Sequence, residues 1–97
     1  MFFVTLTFAS QKAEAPKFMA AHNEWLRRGF DDGVFVLAGS LRPGRGGAIV
    51  AHGVTADELS QRIGADPFVR EGVVSAEMFE VEPGRLDERL AFLGKRD

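Results

Sequence analysis

Val34-Phe35-Val36-Leu37-Ala38, then the turn Leu41-Arg42-Pro43-Gly44-Arg45-Gly46, then Ala48-Ile49-Val50-Ala51 read as one β-hairpin. Two short runs of β-branched and apolar residues flank a Pro/Gly/Arg turn, so the runs are strands and pair antiparallel. Upstream, Phe18, Met19, His22, Trp25 and Leu26, with Phe30 loosely in phase, recur at three- and four-residue steps between Lys17 and Arg28. That spacing predicts an amphipathic helix with His22 on or beside its apolar stripe. Gly29 and Asp31-Asp32-Gly33 end it. Further upstream, Phe2, Val4, Leu6 and Phe8 alternate with Phe3, Thr5 and Thr7, which is a strand. Ser10 to Pro16 is polar, and Pro16 suits the first turn of the helix that follows.

Downstream of the hairpin, Thr55 with Glu58 three residues later is a capping box, so a helix is expected from Ala56 to about Ile63, with Gly64 as its stop. Asp66-Pro67 reads as an N-cap followed by proline at the first helical position, opening a short turn through Arg70. A last strand runs from Val73 to Val81, and Pro83-Gly84 closes it. The expected organisation is one domain over residues 1–84 and a C-terminal helix or arm over 85–97, where Leu86, Leu90 and Leu93 fall in helical phase.

The order is therefore β-α-β-β-α-β, an α+β, ferredoxin-like plan with helices on one face of a four-stranded antiparallel sheet. Because the hairpin strands are apolar on both faces, two helices can cover only one of them. Exposed apolar surface of several hundred Å² is rare on monomers, so a homodimer is expected to cover the other face.

Composition narrows the function. Hydrophobic residues make up 45% and charged residues 27%, ordinary for a soluble globular domain. A net charge of −2 gives no electrostatic case for nucleic acid or an anionic membrane. With no Cys, disulfides, thiolate nucleophiles and thiolate metal sites are out; with only two separated histidines, no metal site is expected. Nine Phe and no Tyr leave aromatic mass without a phenol for acid–base work. The N-terminal residues lack the pattern of a secretory signal, and no apolar run approaches the ~18 residues of a membrane span. A cytoplasmic protein is the expectation.

Histidine is the usual acid–base group near neutral pH, so His22 is the first candidate. Two readings stay open for it: a core-edge histidine bonded to a backbone carbonyl, or a proton-transfer group with a partner. His52, before Gly53 at a strand end, reads as solvent-exposed. Asp66 has a complete local role as a cap, yet a capping carboxylate keeps a second oxygen. The Arg42–Gly47 loop lacks the Lys-Ser/Thr ending of a phosphate-binding loop, though Arg42 could pair with an anionic substrate at a pocket lip. Ser40, after Ala38-Gly39, could place a hydroxyl beside a ligand, as could Thr5; Trp25 and the phenylalanines could line an apolar pocket.

His22-x-x-Trp25-Leu26, Ala38-Gly39-Ser40-Leu41, the Gly46-Gly47 return and Asp66-Pro67-Phe68 together resemble the YciI-like, or YCII-related, family over roughly residues 1–83. The resemblance implies a dimeric α/β barrel and a pocket holding a histidine and an aspartate, which fall on His22 and Asp66. Ser40 departs from the pattern, standing where proline is often found. On this basis the chain is expected to be an acid–base enzyme of the lyase, isomerase or hydrolase type. It would act without a cofactor on a small organic molecule, aromatic compounds included. The alternative is a non-catalytic module that binds a small ligand in the same pocket. Nucleic-acid binding is disfavoured because Ala48-Ile49-Val50-Ala51 lacks the stacking aromatics such a sheet needs.

Overall fold

The structure is a computed structural model that describes residues 1–94; residues 95–97, the end of the expected C-terminal arm, lie outside the described residues. Strands β1 (Phe2–Phe8), β2 (Phe35–Leu41), β3 (Gly46–Ala51) and β4 (Val74–Glu80) form one antiparallel sheet in the order β2-β3-β1-β4. Helices α1 (Ala15–Asp31), α2 (Ala56–Gly64) and the one-turn α3 (Pro67–Arg70) provide the helical layer. This is the ferredoxin-like α+β plan read from the sequence. Among the described residues no helix is long and apolar enough to cross a membrane.

The pleat of β1 sorts its side chains. Phe2, Val4 and Leu6 are buried towards the helices, while Phe3 and Thr7 are exposed on the other face. Register carries this sorting across the sheet: Val4 lies opposite Ile49 and Met78, and Leu6 opposite Gly47 and Ala76. Gly47 in turn pairs with Ser40, which places Ser40 on the helix-covered side. In β2 the register shifts between Phe35 and Leu37, so Val36 is an extra residue. The shift turns Phe35 into the core and Leu37 onto the open face.

On that open face, Leu37, Val50, Phe3 and Phe79 are mutual cross-strand neighbours and form one apolar row over all four strands. Leu37 is 53% exposed, Phe79 50% and Phe3 45%. The apolar character the hairpin shows on both faces in sequence is thus a continuous feature of the whole sheet.

Helix α1 buries the stripe His22, Trp25 and Gly29, with Ala15, Phe18 and Leu26 partly buried beside it. It begins at Ala15 and holds Pro16 in its first turn, as expected from the sequence, where no backbone N–H is needed. Gly29 is a packing requirement: a Cβ there would lie 2.0 Å from the Phe35 ring. The capping box of α2 is complete, with Glu58 N–H donating to Thr55 Oγ1 and Thr55 N–H donating to Glu58. The Thr55 N–H is the main reason the Glu58 carboxyl is held below its ordinary value, and the Thr55 side chain adds to it.

β2 runs on to Leu41 and β3 starts at Gly46, so the strands reach further into the turn than their composition suggests. The ladder pairs Gly39 with Ala48 and Leu41 with Gly46, and these backbone bonds outweigh the weak strand preference of Gly and Ser. Beyond β4, residues Glu88–Gly94 form 3-10 turns broken by a kink at Leu90, with Leu93 buried and Leu90 exposed.

Candidate active site

Helix α1 presents His22 and Trp25 one turn apart on its buried face, and α3 meets them from the other half of the chain. Asp66, in extended conformation, caps α3: its Oδ1 accepts the Phe68 N–H at 3.0 Å, and Pro67 occupies the first helical position. The same Oδ1 lies 2.8 Å from His22 Nδ1. Asp66 is fully buried and His22 is 9% exposed, so the link is shielded from water. The Asp66 Oδ2 atom is also buried and has no hydrogen-bond partner among the described residues.

The imidazole is clamped by aromatic rings. Phe68 stacks on it with centroids 4.1 Å apart and planes 6° from parallel, and Trp25 lies 5.7 Å away at 28°. Phe68 therefore touches both partners, ring to His22 and N–H to Asp66. Trp25 is itself anchored: its Nε1–H donates to the Arg62 carbonyl on α2 at 2.9 Å, and its ring meets Phe35 edge-on. Asp32, just past α1, pairs with Arg62 at 3.0 Å and ties the same two helices together.

A cavity of about 310 Å³ opens between α1 and the β2–β3 hairpin. His22, Asn23 and Ser40 supply its polar side chains. Leu6, Met19, Leu26, Ile49 and Phe68 are its large apolar walls. A hollow of about 630 Å³ at the other end of the sheet contains His52 and Glu58 but neither His22 nor Asp66. Its Glu58 is engaged in the helix cap, and the ring of His52, which is half-buried rather than exposed, meets Phe92 edge-on.

The residues singled out in the sequence thus separate. His22, Asp66 and Ser40 gather at one place, with Asp66 behind His22 and Ser40 across the cavity from it. Trp25 supports the His22 ring and does not line the cavity. Thr5 points to the opposite side of the sheet, in register with Ala48 and Glu77, as the burial of Phe2, Val4 and Leu6 requires. Arg42 stands exposed in the hairpin turn, outside the cavity lining. Sequence reasoning passed over Met19 and Asn23 as site residues, and gave Phe68 only as one of the phenylalanines that could line a pocket. Met19 and Asn23 carried a usable signal, since they flank His22 within one turn of the same helix.

In arrangement the site can hold a histidine in one tautomer. With Nδ1–H donating to the carboxylate, a neutral imidazole would keep its Nε2 lone pair for the cavity that the residue lines.

Comparison with curated proteins finds no match. Among solved structures, the fold is similar to that of the 5-chloro-2-hydroxyhydroquinone dehydrochlorinase TftG from Burkholderia phenoliruptrix AC1100, determined in complex with 2,5-dihydroxybenzoquinone. The TM-score is 0.68 at 18% identity, over 87% of this chain and 96% of that one. At this identity the likeness speaks for the shared fold. The YCII-related domain family matches residues 1–82, which hold the whole sheet and helices α1 to α3, and the chain belongs to that family.

Proposed function

We propose that this chain is a small-molecule enzyme that moves a proton with His22, oriented by Asp66. The observation that supports this most directly is the 2.8 Å link from His22 Nδ1 to Asp66 Oδ1 on a histidine that lines a cavity. The link selects the tautomer with Nε2 as proton acceptor. It also places a carboxylate against the imidazolium once the proton has arrived. Phe68 and Trp25 restrict rotation of the ring, so the accepting nitrogen stays in place between turnovers. Ser40 is offered as a substrate-binding hydroxyl across the cavity. A proton shuttle of this kind asks for no cofactor. The fold likeness to a dehydrochlorinase bound to a small quinone supports a small organic molecule as substrate.

The reading extends to assembly. A second copy of the chain covers the row Leu37, Val50, Phe3 and Phe79, because a row this exposed and continuous is costly to leave in water. The functional test is His22→Ala: once a substrate is found, turnover is lost while the circular dichroism spectrum is kept. Unchanged turnover in that variant, or binding of the substrate without any conversion by the native chain, overturns the enzymatic reading.

A further inference from the structure

The cavity has walls of unequal character. Leu6, Leu26, Ile49 and Phe68 are apolar, and His22, Asn23 and Ser40 bring the polar side chains. No lysine or arginine lines it among the described residues; Arg42 and Arg45 stand exposed in the hairpin turn. Directly behind His22 stands the carboxylate of Asp66, bonded to it and fully buried. One of its oxygens has no hydrogen-bond donor among the described residues, so its negative potential is only partly met by neighbours. From these observations we infer that the cavity selects uncharged, single-ring substrates and turns away those that arrive as anions, a preference that the neutral side chain of Met19 at the rim leaves in place.

The inference rests on His22 being the proton acceptor of this cavity and concerns what that acceptor is offered. Size supports a single ring: about 310 Å³ is at the lower end of ligand pockets. Charge supports a neutral one. An anion here would be stripped of water against apolar walls, with no cation to pair with and a carboxylate behind the histidine. A neutral substrate avoids this until the chemical step. Its X–H bond then breaks, the proton goes to His22 Nε2, and the electron pair stays on the substrate. The anion formed faces the imidazolium formed with it, and that imidazolium faces Asp66, so the total charge of the site is unchanged. A substrate already anionic would leave three negative charges, two of its own and that of Asp66, against one imidazolium. Met19 lies one turn before His22 on α1, lines the cavity and is 44% exposed, so it stands at the rim, where an added cation would be felt by an entering ligand.

The experiment uses three redox-stable rings: resorcinol, 3,5-dihydroxybenzamide and 3,5-dihydroxybenzoate. The last two are close in size and differ in charge. Each is titrated near neutral pH into the full isotope-labelled chain while the His22 ring signals are followed by NMR. Resorcinol and the amide are expected to shift those signals, and the carboxylate to bind about ten-fold more weakly than the amide. Met19→Arg is expected to close or reverse that gap. Equal or tighter binding of the carboxylate by the native chain overturns the charge preference. An unchanged ratio in Met19→Arg removes Met19 from it, and no shift from either neutral ring overturns the inference as a whole. None of these results depends on turnover, so the role of His22 as a base stands or falls separately, on His22→Ala.

Discussion

If His22 and Asp66 are energetically joined, removing Asp66 should cost more with His22 present than without it. Asp66→Ala takes away two hydrogen bonds at once. Loss of the cap on the Phe68 N–H costs about 1 kcal/mol. The buried His22 Nδ1–H left without an acceptor costs about 2 kcal/mol more. Together these are about 3 kcal/mol, set against about 5–15 kcal/mol for a domain of this size. That corresponds to a fall in Tm of roughly 12–24 °C. In a His22→Ala background the histidine term is absent, and Asp66→Ala should cost only the cap, about 1 kcal/mol. The coupling energy of the cycle is then about 2 kcal/mol. The assay is urea unfolding of the four proteins at one fixed chain concentration. It is followed by the fluorescence of Trp25, the only tryptophan, which is buried and packed against the His22 ring. Slopes of the four transitions should agree, so that midpoints report stability alone. If the two substitutions add to within about 0.5 kcal/mol, the 2.8 Å link contributes nothing of its own, and the reading of the pair as a unit is wrong.

Glycines give a matched contrast on two helices. Gly29→Ala should destabilise by about 1–3 kcal/mol or more in urea unfolding, because its Cβ would overlap the Phe35 ring. Gly64→Ala, where a Cβ meets nothing within 4 Å, should stabilise by about 0.5–1 kcal/mol. Glu58 provides a pH dependence. Its carboxyl is lowered from 4.5 in the folded chain by hydrogen bonds from Thr55, so its contribution is complete above that value and is lost as pH falls through the lowered one. Amide protection factors at the first turn of α2 should therefore fall in acid, and Glu58→Gln should flatten that response. For the open sheet face, Phe3→Asp should convert a dimer to single chains in light scattering at micromolar concentration; native chains already single at that concentration would refute assembly through this face.

Strand β1 was legible in full because its alternation is strict, and the capping box located α2 because its two residues act locally. The limits of β2 were not. Gly39 and Ser40 have weak strand preference, and only their pairing with β3 keeps them extended. The site divides the same way. The position of His22 on a buried stripe and the capping role of Asp66 follow from spacing. Their meeting does not, because it depends on how α1 and α3 lie side by side, and only the family resemblance pointed to it. The face taken by Thr5 could have been read, since it alternates with Val4 and Leu6, which are buried. The exclusion of Trp25 from the cavity could not, because its indole is drawn to the Arg62 carbonyl, a backbone atom with no mark in the sequence.

The strand order has a consequence for how the chain comes together. β1 is synthesised first, yet its two ladder partners lie about half a chain and nearly a whole chain downstream, with Phe2 opposite Ala51 on one side and Glu80 on the other. The N-terminal strand therefore leaves the ribosome with its Phe and Leu residues unmatched, and sheet closure waits for β4. Such long-range pairing places the folding rate between those of fast helical bundles and slow all-β domains. It also makes β1 the segment most exposed to wrong partners during that wait. His22 is in the same position, since the aspartate that orients it arrives only when the third quarter of the chain has been made, so the site is assembled late, by the step that completes the core.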